Sequence, residues 1–252
     1  MQIGISTGEL LHQKVSRICF GPFDNAEYGT EKSVHSCYNQ RKNNMEDCGM
    51  SFVGLMRSDE GIVAFADSKG TINGAAGLYS ETKEVKKLFI HKNFIMVAAG
   101  SNTYRTDWNV RPIEELIGEK LEGFEGTPYD FVRLLNEELK QNWENNQSDY
   151  YLMFGCKSLP DYAFRERHKY QFIVFHRTAE GLIDVHIHPN HFCVTNTGPS
   201  FIPPLFCGSD WSLERMKEEA NDALDFVIRM GDKYLPYNPV GGRKVIQTFQ
   251  VS

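Results

Sequence analysis

The chain has little of what would assign it at once. Its six cysteines (19, 37, 48, 156, 193 and 207) form no CxxC pair and are too thinly spread for a disulfide scaffold. No segment approaches the roughly 18 consecutive apolar residues of a membrane span, so no membrane partner is expected. The first residues lack the basic start and apolar run of a secretory signal. With reduced thiols, these features make the cytoplasm the expected location. A Lys/Arg-rich run is missing too, and the formal net charge of −6 argues against a nucleic-acid surface. There is no internal repeat or low-complexity tract. What is present is ordinary for a globular protein: 252 residues, 41% hydrophobic and 24% charged, enough to bury one substantial core.

The organising stretch is Ser51 to Asp67, SFVGLMRSDEGIVAFAD. Two apolar runs, Phe52 to Met56 and Ile62 to Ala66, flank the polar group Arg57-Ser58-Asp59-Glu60-Gly61, which reads as a β-hairpin. With Ser58 to Glu60 as the loop, Val53 faces Phe65 and Ser51 faces Asp67. Directly opposed residues hold their Cβ atoms about 4.5–5.5 Å apart. A hydroxyl and a carboxylate would then sit side by side at the hairpin's open end, and a slip of one residue keeps them neighbours.

Residues 1–50 differ in character. They hold three of the cysteines and the polar tract Asn39 to Asn44, and the expectation is a poorly ordered extension or propeptide before a domain spanning 51–252. A sharper expectation is a start at Met50, its methionine trimmed from Ser51. Met45-Glu46-Asp47 can be encoded by the purine run of a bacterial ribosome-binding site at a suitable distance. Beyond the hairpin, a Gly-rich connection runs from Lys69 to Glu84. A second hairpin joins Lys86–Ile90 to Phe94–Ala99 around His91-Lys92-Asn93. Helices are expected at 112–121, 127–145 and 212–230, and strands at 150–154, 171–176, 182–187, 192–195 and 244–251. Strands, two helices, strands, one helix, strand is an α+β order.

The runs VGLMRSDEGIVAFADSKGT and EVKKLFIHKNFIMVAAGS resemble the opening of a proteasome β-type subunit or its bacterial relatives. Asp67-Ser68-Lys69, Lys86-Lys87-Leu88 and Ala99-Gly100 carry the likeness. GDKYLPYNPVGGRKVIQTF and Cys207-Gly208-Ser209 extend it thinly along residues 51–252. The resemblance implies an N-terminal nucleophile hydrolase fold, a four-layer αββα sandwich of two antiparallel sheets. It also implies a homo-oligomer, of a kind able to form rings, and no cofactor. Counting back from the motif places the nucleophile at Ser51, where the family usually carries Thr. Met50 stands where self-cleaving relatives carry Gly. For the family's lysine, Lys87 fits the motif, Lys83 fits an ungapped count, and Lys86 differs from Lys87 in the face it points to. A two-residue turn at Lys92-Asn93 puts Lys87 opposite Ala98, beside Gly100.

The expected chemistry follows from these groups. A serine hydroxyl needs a base to take its proton, and a free α-amine with a pKa of about 7.7–8.0 can serve where a backbone amide cannot. Ser51 would attack a peptide or amide carbonyl. Lys87 would supply positive charge, Asp67 would orient it, and the Gly100 N–H would meet the oxyanion. Ser209 and Asp232 are candidate supporting residues. Taken singly, Ser51 is a plain strand start, Asp67 a strand-end cap and Lys87 a solvated edge lysine. Two alternatives stay open: a non-catalytic structural or binding subunit, and a small-molecule amidase on the same fold. The run His186-Ile187-His188-Pro189-Asn190-His191 invites a zinc reading, but a strand-turn-strand passage explains it, and no metal is expected. Cys48 is a further thiol with nothing nearby to activate it.

Overall fold

The computed structural model describes residues 51–73, 79–100, 103–105, 110–141, 150–158, 168–178, 182–196, 201, 203–235 and 237–251. Readings that fall on residues 1–50, Cys48 among them, lie outside the described residues. Two antiparallel sheets and three helices make an α+β fold among them. The smaller sheet holds β1 (Phe52–Arg57), β2 (Ile62–Asp67), β12 (Phe192–Asn196) and β13 (Lys244–Phe249), in the order β12-β1-β2-β13. The larger holds β5 (Leu88–His91), β6 (Phe94–Gly100), β9 (Tyr150–Lys157), β10 (Tyr170–Arg177) and β11 (Ile183–His188), in the order β11-β10-β9-β6-β5. The expected Gly-rich connection is itself a hairpin, β3 (Lys69–Asn73) with β4 (Tyr79–Glu84). A short pair, β7 (Thr103–Arg105) with β8 (Val110–Pro112), leads into α1 (Ile113–Leu121) and α2 (Pro128–Gln141); α3 is Leu213–Tyr234.

Every residue of β1 and β2 is buried, as their unbroken apolar runs require of strands covered on both faces. Val53, Leu55, Ile62, Ala64 and Ala66 pack with Ile95, Val97, Met153, Phe172 and Val174 from the larger sheet. Phe94, Phe154, Ile173 and Phe175 of that sheet pack instead with Ile117, Phe131, Leu135 and Leu139 of α1 and α2. Phe52, Met56, Val63 and Phe65 pack with Met216, Ala220, Ala223, Leu224 and Val227 of α3. These stripes recur at helical spacing, which is why the helices are legible.

The helix starts follow from side-chain caps. Thr127 Oγ1 accepts the Asp130 N–H at 3.3 Å while Asp130 Oδ2 accepts the Thr127 N–H at 3.0 Å, a reciprocal cap with Pro128 in the first turn. Ser212 Oγ accepts the Arg215 N–H at 3.2 Å to open α3. The end of α3 corrects the expected stop at Met230. Gly231 does not break the helix; the Asn238 side chain lies where a Cβ at Gly231 would be. Gly54 is a close-approach glycine of the same kind, its missing Cβ replaced by the Phe65 ring and Val194 Cγ1. Gly54→Ala is expected to cost about 1–3 kcal/mol through overpacking. Urea unfolding measures it, and Phe65→Leu in the same chain should recover part of the loss.

Candidate functional site

The β1–β2 register is one residue off the expected one. The loop is four residues, with the Ser58 N–H donating to the Gly61 carbonyl at 3.0 Å, so Arg57 pairs with Ile62 and Val53 with Ala66. Asp67 therefore comes level with Phe52, not with Ser51. Its Oδ1 accepts the Phe52 N–H at 2.9 Å, one peptide unit from Ser51. The neighbourhood inferred from the sequence survives through the backbone.

Lys87 completes the group. In the second hairpin His91 pairs with Phe94 and Leu88 with Val97, and the Ala98 N–H donates to the Lys87 carbonyl at 2.8 Å, the pairing expected from a two-residue turn. Lys87 Nζ donates to Asp67 Oδ1 at 2.9 Å and to the Lys69 carbonyl at 2.7 Å. Ser51, Asp67 and Lys87 are 1%, 0% and 4% exposed, so Lys87 is not the solvated edge lysine that its position alone would imply. Burial pushes its ammonium pKa down from the ordinary lysine value, against the opposing pull of the Asp67 carboxylate and of Glu114. Lys86 is exposed, its ammonium 4.9 Å from the Phe89 ring centroid. Lys83 falls in β4 opposite Gly70, and its side chain lies outside the described ones.

Gly100 ends β6 opposite Tyr150 with φ 112°, a backbone region that favours glycine. It lines, with Lys87, Ala98, Ile113, Leu135 and Tyr150, a small, mostly apolar cleft. Lys87 and Gly100 thus meet at one opening.

The outer side of Asp67 is held by the double-glycine loop of the run GDKYLPYNPVGGRKVIQTF, a contact its residue types alone do not specify. Its Oδ2 accepts N–H bonds from Lys69 and Gly241, both at 3.2 Å. Asn238 carries that loop. Its Nδ2 donates to Asp232 Oδ1 at 2.8 Å and to the Ile228 carbonyl at 2.9 Å, and its own carbonyl accepts Lys69 Nζ at 2.6 Å. Among the described residues, Asp232 therefore connects to the site through Asn238. Gly242, at φ 72°, lies where a Cβ would meet Ser68 Oγ at 2.7 Å. The tandem glycines were the available signal for this loop. Ser209 is not brought to the site. It is exposed, and its carbonyl accepts the Asp59 N–H at 2.9 Å, at the closed end of the hairpin.

The histidine run lies at that far end as well. Arg57 Nη1 donates to the Tyr170 carbonyl at 3.0 Å and Nη2 to that of Pro189 at 2.5 Å. His188 is buried, and desolvation, with His186 and Arg57 adding to it, lowers its pKa to about 4. Among the described residues, no group of three or more His, Cys, Asp or Glu could hold a metal ion. Since the unfolded chain binds this proton near the ordinary value of about 6.5, stability should rise with pH between about 4 and 6.5. His188→Gln is expected to remove about 2 kcal/mol of the stability difference between pH 4.5 and pH 7, read as urea midpoints at those two values.

No family model matches the chain, and no curated protein does. The fold is similar to that of two solved Anbu structures. A Gly-1 mutant of Anbu from Hyphomicrobium sp. strain MC1 is 16% identical at a TM-score of 0.50, over 79% of this chain and 82% of that one. Anbu from Yersinia bercovieri, described as an ancestral beta-subunit, is 15% identical at 0.50, over 79% and 81%. The recognition of the chain as a proteasome β-type subunit or a bacterial relative of one is corrected by this result. The structural neighbours are Anbu proteins, which resemble proteasome β subunits only distantly. At this identity the likeness is one of fold. Among the described residues, no helix is long and apolar enough to cross a membrane.

Proposed function

We propose that the chain is an N-terminal nucleophile hydrolase of peptide or amide bonds on an Anbu-like, four-layer αββα scaffold. In this reading residues 1–50 are absent from the working protein and Ser51 is its first residue. The observation that carries the reading is the buried pair Lys87–Asp67, joined at 2.9 Å on the carboxylate oxygen that also holds the Phe52 N–H. An ion pair removed from water is costly to keep, and such groups gather where chemistry needs them.

The freed α-amine takes the Ser51 hydroxyl proton as the oxygen attacks the substrate carbonyl. The Lys87 ammonium holds the amine neutral by like charge and stabilises the forming alkoxide. Asp67 fixes the lysine's position. The Gly100 N–H meets the oxyanion, a donor typically worth about 2.7–4 kcal/mol. Collapse expels the amine leaving group, which takes the proton from the α-ammonium, and leaves an acyl-Ser51 ester. Water, deprotonated by the same amine, then releases the acid. The reading is of an endopeptidase related to threonine-type peptidases, working in the cytoplasm as a homo-oligomer. The free thiols of Cys156, Cys193 and Cys207 agree with a reducing compartment.

The deciding experiment is Ser51→Ala against wild type, on a library of N-acyl peptide amides and with an electrophilic acylating probe mapped by mass spectrometry. Expected are probe adducts on Ser51 and a loss of turnover of at least about 10³-fold. Full turnover by Ser51→Ala on every substrate the wild type cleaves sinks the assignment.

A further inference from the structure

We infer that the outer edge of the larger sheet, strand β11, is a self-complementary docking surface through which two copies of this chain pair edge to edge about a two-fold axis. This goes beyond the hydrolase reading and does not depend on it. Strand β11 ends the order β11-β10-β9-β6-β5, and among the described residues nothing pairs with its far side. Leu182 and Val185 on this edge are 68% and 40% exposed. An exposed row of backbone amides is a template for another strand.

The direction of the free amides can be read from the ladder. The Thr178 N–H donates to the Leu182 carbonyl at 2.9 Å, which marks that pair as a hydrogen-bonded position. Opposed residues alternate between bonded and non-bonded positions, and β10 pairs His176 with Asp184 and Val174 with His186. Leu182, Asp184 and His186 therefore spend their backbone groups on β10. Ile183, Val185 and Ile187 turn theirs outward.

The side chains select the partner. Ile183-Asp184-Val185-His186-Ile187 reads the same in both directions, apart from an acid exchanged for a base. An antiparallel copy centred on Val185 sets Val185 against Val185, Ile183 against Ile187 and Asp184 against His186, the last pair occurring twice. The outward amides then fall at the bonded positions. Each Asp184–His186 pair falls at a non-bonded position, where Cα atoms approach to about 4.5 Å and side chains meet most closely. Centring on Asp184 would oppose two carboxylates. Centring on Ile187 would oppose His186 to His188. Each of these registers would bond outward amides to one another, as would one centred on His186, which would oppose two imidazoles. The side-chain charges therefore select the Val185 register, and it makes the isologous interface of a two-fold dimer.

The test uses the full chain in sedimentation velocity between about 1 and 100 μM, a range that brackets micromolar association. Wild type should dimerise reversibly. Val185→Pro removes only an outward N–H, so the fold should persist while the dissociation constant rises at least about tenfold. Asp184→Lys should weaken the dimer similarly, and adding His186→Glu should restore it. Val185→Cys should cross-link to its own copy under mild oxidation above the wild-type background, whereas Ile183→Cys, placed off the axis, should not. A wild type that stays monomeric overturns the inference, as does association unchanged by both Val185→Pro and Asp184→Lys. If Val185→Pro unfolds, the Asp184→Lys loss and its rescue by His186→Glu decide alone. Dimerisation only after residues 1–50 are removed also overturns it, by assigning the edge to that segment.

Discussion

Asp67→Ala is expected to lower the unfolding free energy by about 3–5 kcal/mol at pH 7, the largest stability loss from a single side chain at the candidate site. The carboxylate accepts four hydrogen bonds, from the Phe52 N–H, Lys87 Nζ, the Lys69 N–H and the Gly241 N–H. Removing it leaves the Lys87 ammonium buried with, among the described residues, the Lys69 carbonyl as its hydrogen-bond acceptor. Lys87→Met leaves a different situation. Three backbone N–H groups still hold the carboxylate, so the cost should be smaller, about 1–3 kcal/mol. The two variants should also differ in pH dependence. Burial already lowers the Lys87 pKa below the ordinary value of 10.5, and Asp67 supplies the strongest opposing influence. Without Asp67 the folded-state pKa falls further, so the unfolded chain binds the lysine proton more tightly over a wider window. Stability then rises with pH up to about 10.5, and Asp67→Ala should recover part of its loss between pH 7 and pH 9. Lys87→Met should not recover. Urea unfolding at the two pH values separates them, and a loss below about 1 kcal/mol in Asp67→Ala would show that the pair does not hold the site together.

The parts of this site that are legible in the sequence are those built from local chain. Both hairpins announce themselves by apolar runs around short polar loops, and those runs alone put Asp67 and Lys87 at strand ends. The second hairpin has the turn its residues suggest, and Lys87 lies opposite Ala98 as expected. The first has a loop one residue longer than its composition suggests. Ser58-Asp59-Glu60-Gly61 closes through a bond from the Ser58 N–H to the Gly61 carbonyl, which residue types do not specify. Between Lys69 and Glu84 the glycines suggest a connection, whereas the chain forms β3 and β4. Contacts across long sequence separations are out of reach. Gly241 donates to a carboxylate 174 positions earlier, and no periodicity in either segment points to the other. Asn238 escapes notice because its role depends on Gly231, whose absent side chain looks like a helix stop and is in fact the room Asn238 occupies. Ser209 fails for the converse reason. A Gly-Ser turn is a common local shape, and local shape does not say which end of the hairpin it will join.

A chain beginning at Ser51 is expected to hydrolyse its amide substrate at least about 10³-fold faster than one that retains Met50, with the fold unchanged. The α-nitrogen differs between the two. As a free amine it accepts a proton at neutral pH, with an ordinary pKa of about 7.7–8.0; as the nitrogen of the Met50–Ser51 peptide it cannot. Lys87, whose ammonium sits on the carboxylate that holds the next residue's N–H, should depress the amine's pKa by like charge. The rate should therefore rise with pH and level off at or below the ordinary amine value. Lys87→Met removes that charge, so its profile should shift upward in pH as well as losing rate. A residue that merely supports the strand would change the rate without moving the profile. The comparison requires both chains verified by intact mass, then kcat/KM measured from pH 6 to pH 9. Equal rates with and without Met50 would mean that the amine is not the base. The buried lysine and carboxylate would then be a structural clamp at the hairpin's open end, and the site that of a binding subunit.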